Sequence, residues 1–178
     1  GAYATLSPVV LARGTIHAAG VYHCPNIRIQ SRAVATNTPP NGAFRGFGAP
    51  QSIFALERHF DRVAHALGLP PDEFRRRNFI HPGQSLAIGQ GVSGDVDLDQ
   101  LLDRAIELSD YHAKRERFAA HNRSSRAKKG IGLSVYMHGA GFTGKGEDLL
   151  RSVVELEATR EGQISIRVAS TEFGQGTN

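Results

Sequence analysis

The chain has 178 residues, a formal net charge of +4 and 40% hydrophobic residues, which suits a folded domain and excludes a wholly disordered chain. Its one cysteine, Cys24, rules out an intrachain disulfide, and no apolar run approaches the ~20 residues that a membrane helix needs. The densest basic stretches, Arg75–Arg77 and Arg123–Lys129, read as solvated helix or loop rather than a nucleic-acid surface, since no aromatic-rich motif accompanies them.

Ser7-Pro8 followed by Val9, Val10 and Leu11 predicts a short helix capped by Ser7 and running to Gly14, with Arg13 at its cation-favouring end. Ile27 to Ala35 alternates and predicts a strand. The adjacent His23 and Cys24 have no second pair to complete a zinc set.

Thr36 to Gln51, TNTPPNGAFRGFGAPQ, is the most distinctive stretch. Pro39 and Pro40 stiffen its entry, and Gly42, Gly46 and Gly48 allow positive φ and a close approach of ligand to backbone. Arg45 stands between Phe44 and Phe47, and Pro50 suits the first turn of a following helix. A glycine-lined, arginine-bearing loop at a helix N-terminus can bind an anion; equally, it can be a connector whose arginine pairs with a carboxylate.

Ile53, Leu56, Phe60, Val63, Ala64 and Leu67 recur at helical spacing and predict a helix over 51–67, ended by Gly68 and by Pro70-Pro71. Pro71-Asp72-Glu73 opens a second short helix that closes on Arg75–Arg77. A loop spans 79–94, and Asp97 with Gln100 predicts the start of a third helix. Its apolar face is Leu98, Leu101, Leu102, Ala105, Ile106 and Leu108, with a polar continuation over 110–122. Residues 123–129 read as a linker or basic turn, dividing a first domain, 1–122, from a second that starts at 130.

Ile131, Leu133, Val135 and Met137 alternate and predict a strand over 130–138. Gly139, Gly141 and Gly144 then satisfy GxGxxG, so nucleotide binding through Gly139–Gly146 is an alternative function. That motif needs a helix directly after it. The sequence offers alternating residues from Ser152 to Thr159, a turn at 160–162, and alternation again at Ile164, Ile166 and Val168, which predicts a hairpin. The chain ends in TEFGQGTN, Thr171 to Asn178, and both termini read as cuts within a longer polypeptide.

TN-x-PP-x-GAFRGFGAPQ, then GLPPDEFRRRNFI, with PNIRI at 25–29 and TEFGQG at 171–176, closely resembles the molybdenum-binding subunit of the xanthine dehydrogenase and aldehyde oxidase family. The resemblance runs along nearly the whole chain. It implies an α+β fold of mixed sheets and packed helices, part of the molybdopterin-binding domains. It implies an oxidoreductase that oxidises a heterocycle or aldehyde with water-derived oxygen at a molybdenum–pterin centre, while a non-catalytic assembly module of the same fold is a further alternative. The cofactor would be molybdopterin, or its cytosine dinucleotide, with the metal held by pterin dithiolene sulfurs rather than by protein ligands. Iron–sulfur clusters and FAD would sit on partner domains or subunits, the substrate would be small and planar, and the full-length protein would be a cytoplasmic oligomer with neither nucleic-acid nor membrane partners.

Residue by residue, the resemblance assigns Arg45 and Gly46 to the cofactor and Arg45 to catalysis. Phe47, Phe142 and Thr143 would bind substrate, and Gly174, Gln175 and Gly176 would bind the pterin. Arg13 precedes Arg45 by 32 positions (45 − 13), the separation expected of a second, substrate-polarising arginine. The family's general base is a glutamate in a Gly-Glu motif near the far end of the molybdenum-binding polypeptide; Gly146-Glu147 is too early for it. On this reading the isolated chain would hold little cofactor and be inactive.

Overall fold

A computed structural model describes residues 1–139 and 153–168. Packing divides the chain into two units, Gly1–His138 and Gly139–Asn178. The first unit holds five helices: α1 (Ser7–Ile16), α2 (Ala49–Ala66), α3 (Pro71–Arg76), α4 (Leu98–Ser109) and α5 (Tyr111–Ser124). The described part of the second is one antiparallel hairpin, β1 (Val154–Ala158) with β2 (Ile164–Val168). The α+β class expected from the sequence holds.

Helix boundaries follow the local chemistry. α2 starts at Ala49-Pro50, where proline's missing N–H costs nothing, and stops before Gly68, whose φ of 67° only glycine takes without strain. Asp97 caps α4 by accepting from the Gln100 N–H at 2.9 Å. α1 departs from expectation: Leu6 is its N-cap, no side chain caps it, and it runs past Gly14 to Ile16. The polar stretch after α4 is a separate helix, because Asp110 turns into the left-handed region (φ 52°) between α4 and α5.

The core joins Val21, Tyr22, Phe79, Ile80, Leu98 and Leu102. Each such side chain taken from water contributes roughly 1.5–3 kcal/mol. Tyr22 and Phe79 face one another in a single antiparallel bridge, with Ile80 N–H donating to the Val21 carbonyl and His23 N–H to that of Asn78. Phe60 of α2 stacks on Tyr22, ring centroids 3.9 Å apart.

The chain beneath this core is held by a buried ion pair. Arg75 is fully buried; its Nε donates to Glu57 Oε2 at 2.9 Å, and Nη1 meets Asp61 at 3.0 Å. Burial works against the Arg75 charge, but Glu57 and Asp61 offset it and hold its pKa above the ordinary value. Glu57 also accepts from Tyr22 Oη at 2.5 Å and from the Val135 N–H at 3.1 Å. Burial and the Glu57 carboxylate push the Tyr22 phenol well up, so it stays protonated as the donor. Reading Arg75–Arg77 as one solvated run is therefore corrected. Arg75 faces inward, Arg76 pairs with Asp99 and Asp103 of α4, and only Arg77, paired with Glu73, lies on the open surface.

Two expected strands are absent among the described residues. The 27–35 stretch lies mostly exposed without a ladder, since alternation assigns faces but supplies no neighbouring strand for its backbone groups. Residues 130–138 form no ladder either, yet Ile131, Leu133, Val135 and Met137 alternate inward as expected, the last three against the core. On α4 the inward line is Leu98, Leu102 and Ile106, while Leu101 and Leu108 are exposed; on α2's C-cap, Leu67 is exposed as well. The first two residues of the expected 123–129 linker belong to α5, and 125–129 fold back on that helix, with Asn122 donating to the Lys129 carbonyl and accepting its N–H. In the hairpin, Glu155 and Glu157 both pair with Arg167 on one face, and Val154, Leu156, Ile164 and Ile166 alternate with them.

Arg75→Ala leaves Glu57 charged and buried without its partner. The expected loss is about 3–5 kcal/mol of unfolding free energy in urea denaturation; a loss below about 1 kcal/mol would contradict the central role given to this pair.

Candidate functional site: the arginine loop

The loop that carries Arg45 is pinned before it begins. Thr36 N–H donates to the Gly1 carbonyl, Ala2 N–H to that of Thr38, and Thr5 Oγ1 to that of Asn41, so residues 1–5 bracket the Pro39-Pro40 entry. At its far end the loop turns tightly into α2. Phe47 N–H donates to the Phe44 carbonyl at 2.8 Å and Ala49 N–H to that of Gly46 at 3.1 Å.

Three successive residues in this turn have positive φ: Gly46 (91°), Phe47 (56°) and Gly48 (108°). For a bulky aromatic residue such as Phe47 this conformation is strained, on the order of 1–3 kcal/mol, and strain of this kind concentrates at ligand sites. Gly48 is compulsory. A Cβ there would sit 2.1 Å from the Val10 carbonyl oxygen of α1. Gly14 answers from the other side, since a Cβ on it would lie 2.9 Å from Ser52 Oγ and 3.3 Å from the Gly48 carbonyl oxygen. The two glycines let α1 lie directly against the first turn of α2.

Arg13 lies in the last turn of α1, half-buried. Arg45 is exposed, as is Phe44 at 82%, while Phe47 is half-buried. Histidines connect the two arginine-bearing segments. His17, the C-cap of α1, bonds through Nδ1 to the Arg13 carbonyl at 2.8 Å and stacks on His138, with centroids 5.2 Å apart and planes at 19°. His138 Nε2 in turn donates to the Gly46 carbonyl at 3.4 Å. Burial, with the nearby His138 and Arg13, pulls the His17 pKa below its ordinary value despite the bond to the Arg13 carbonyl.

Chemically, the site offers guanidinium donors and a helix N-terminus, which suit an anionic group with acceptor oxygens. No cluster of three His, Cys, Asp or Glu residues able to hold a metal occurs among the described residues. The guanidinium and helix-terminus donors fit a cofactor that carries anionic groups. Phe142, Thr143, Gly174, Gln175 and Gly176 lie outside the described residues, as does most of the Gly139–Gly146 loop. A cavity of about 630 Å³ between α4 and residues 131–137 is lined by none of the expected site residues. Sequence reasoning missed His17 and His138, because two single histidines so far apart in the chain carry no local signal that pairs them.

Residues 1–79 and 104–178 each match a molybdopterin cofactor-binding domain family. The chain is 37% identical over 99% of its length to a probable xanthine dehydrogenase component of Bacillus subtilis, of which it spans 23%. It is 35% identical over its whole length to an aldehyde oxidoreductase of Megalodesulfovibrio gigas, of which it spans 19%. A nicotinate dehydrogenase large molybdopterin subunit of Eubacterium barkeri is 42% identical over 60% of the chain, which spans 25% of it. Among solved structures, the aldehyde oxidoreductase of Desulfovibrio desulfuricans superposes with a TM-score of 0.72 at 28% identity, covering 92% of this chain and 17% of that one.

Gly48→Ala forces a side chain into a backbone carbonyl at a φ that L-residues avoid. It is expected to destabilise by more than about 2 kcal/mol in chemical denaturation, whereas Gly42→Ala, with open space around its Cβ, is expected to be near neutral.

Proposed function

Because this chain belongs to the molybdopterin cofactor-binding domains of the xanthine dehydrogenase and aldehyde oxidoreductase family, we propose that it carries part of the catalytic centre of a molybdenum hydroxylase. Molybdopterin, when bound, supplies the redox chemistry that oxidises a heterocycle or aldehyde with oxygen taken from water. Arg45 and the Gly46 backbone, at the start of α2, hold the anionic part of that group. The Phe47 ring stacks on a planar substrate. Arg13 directs its guanidinium to an oxygen of the substrate and stabilises negative charge that develops there. By the resemblance of their motifs alone, Phe142 and Thr143 are assigned to substrate binding, and Gly174, Gln175 and Gly176 to pterin binding.

The observation that carries this reading is the backbone of residues 46–48. A phenylalanine is held in the left-handed region by a glycine on each side, one of them locked against α1. A plain connector has no use for that strain. The substrate class leans toward an oxygen-bearing heterocycle through Arg13. Relatives named for xanthine and nicotinate fit this, although one named for aldehydes matches as well. Electrons would leave through iron–sulfur and flavin partners in an oligomeric, cytoplasmic enzyme; no helix among the described residues is long and apolar enough to cross a membrane. On its composition, the stretch 123–129 would mark where the chain leaves the first domain.

In the polypeptide that carries these residues, metal analysis should find molybdenum near one per chain. Arg45→Ala should lower kcat/KM on a heterocyclic substrate by about 10²–10³-fold, the usual cost of one donor to developing charge. Protein with no molybdenum, or an Arg45→Ala variant with unchanged kcat/KM and metal content, would overturn the proposal.

A further inference from the structure

Within the described part of the first unit, His17 and His138 form a cluster of titratable groups that neither the core nor the proposed chemistry uses. Their two rings are stacked, and each ring commits a nitrogen to the backbone of a different arginine-bearing segment. A carbonyl oxygen can only accept, so His17 Nδ1 carries a proton toward Arg13, and His138 Nε2 carries one toward Gly46. The contact path therefore runs from the Arg13 turn of α1, through two imidazoles, to the peptide between Gly46 and Phe47. The same two segments also approach directly, through Gly14 and Gly48.

We infer that His17 and His138 form a positioning pair that sets the register of the Arg45–Phe47 turn against the end of α1, and loosens it when His17 becomes charged. This rests on the reading of Arg13, Arg45 and Phe47 as site residues. Two neutral imidazoles stack favourably, whereas two imidazoliums at this separation repel one another. The charged groups acting on His17 are His138, from the 130–138 segment, and Arg13, from its own helix. Both oppose its protonation, as does burial. The linkage follows from that direction. Because the folded-state pKa of His17 lies below 6.5, its contribution to stability is present above pH 6.5 and is lost as pH falls through the lowered value. Acid should thus loosen the turn.

A positioning role differs from plain packing in one respect: the turn must feel the protonation. In an NMR pH titration of the chain without cofactor, the His17 ring should titrate below 6.5. The Gly46 and Phe47 amide signals should move over the same pH range, and that of Leu102 in the core face of α4 should not. His138→Phe keeps an aromatic ring for stacking but removes both the second charge and the bond to Gly46. In that variant the His17 midpoint should shift upward, and the Gly46 and Phe47 amides should lose their response. Wild-type Gly46 and Phe47 amides that ignore pH between about 5 and 7, the range in which histidine titrates, would sink the inference, whether or not the variant folds. So would an unchanged His17 midpoint in a folded His138→Phe protein. Because no cofactor is present, a negative result here leaves the molybdenum reading standing, and failure of that reading leaves the titration interpretable.

Discussion

The first unit depends on the contact between Glu57 and Arg75. An ion pair removed from water gains little net energy over a well-packed apolar pair, but it is intolerant of losing either member. Here the carboxylate has partners drawn from three separate parts of the chain: the Arg75 side chain of α3, the Tyr22 hydroxyl and the backbone of Val135. Arg75 closes the set by donating to the Glu57 and Pro71 carbonyls. A slip of any one segment would leave a charge or a donor buried and unmatched. The network thus fixes the register of α2 and α3 and of two extended segments that have no long ladder of their own.

That register is what positions the candidate site. α2 is anchored at Glu57 by the ion pair and at its first turn by the close approach of α1 through Gly14 and Gly48. The arginine loop hangs between that rigid start and the backbone bonds made to residues 1–5. Val135, three residues before His138, binds Glu57 directly, so the segment that carries His138 to the loop is set by the same carboxylate. Core and site are coupled through a short, stiff path of hydrogen bonds rather than through long-range shape.

Arg45 and Phe44 lie exposed in this unit. The first two relatives are four to five times as long as the chain, which spans 23% and 19% of them. In such proteins a single cofactor can be gripped by several segments.

The sequence by itself determined α2, α3 and α4, the caps at Gly68 and Asp97, the hairpin with its turn at 160–162, and the family. These are local properties: helical periodicity, a proline at a first turn, a glycine past a last one, and a long ordered motif around Arg45. Tertiary structure decided which of three adjacent arginines is buried, because Arg75, Arg76 and Arg77 are alike in composition and differ only in the direction each takes from α3. It decided that 27–35 and 130–138 form no ladder, because a strand exists only where another backbone lies alongside to complete its hydrogen bonds. It also brought His17 to His138, a pairing that no spacing in the chain could announce, since contacts between distant residues are set by how the helices pack.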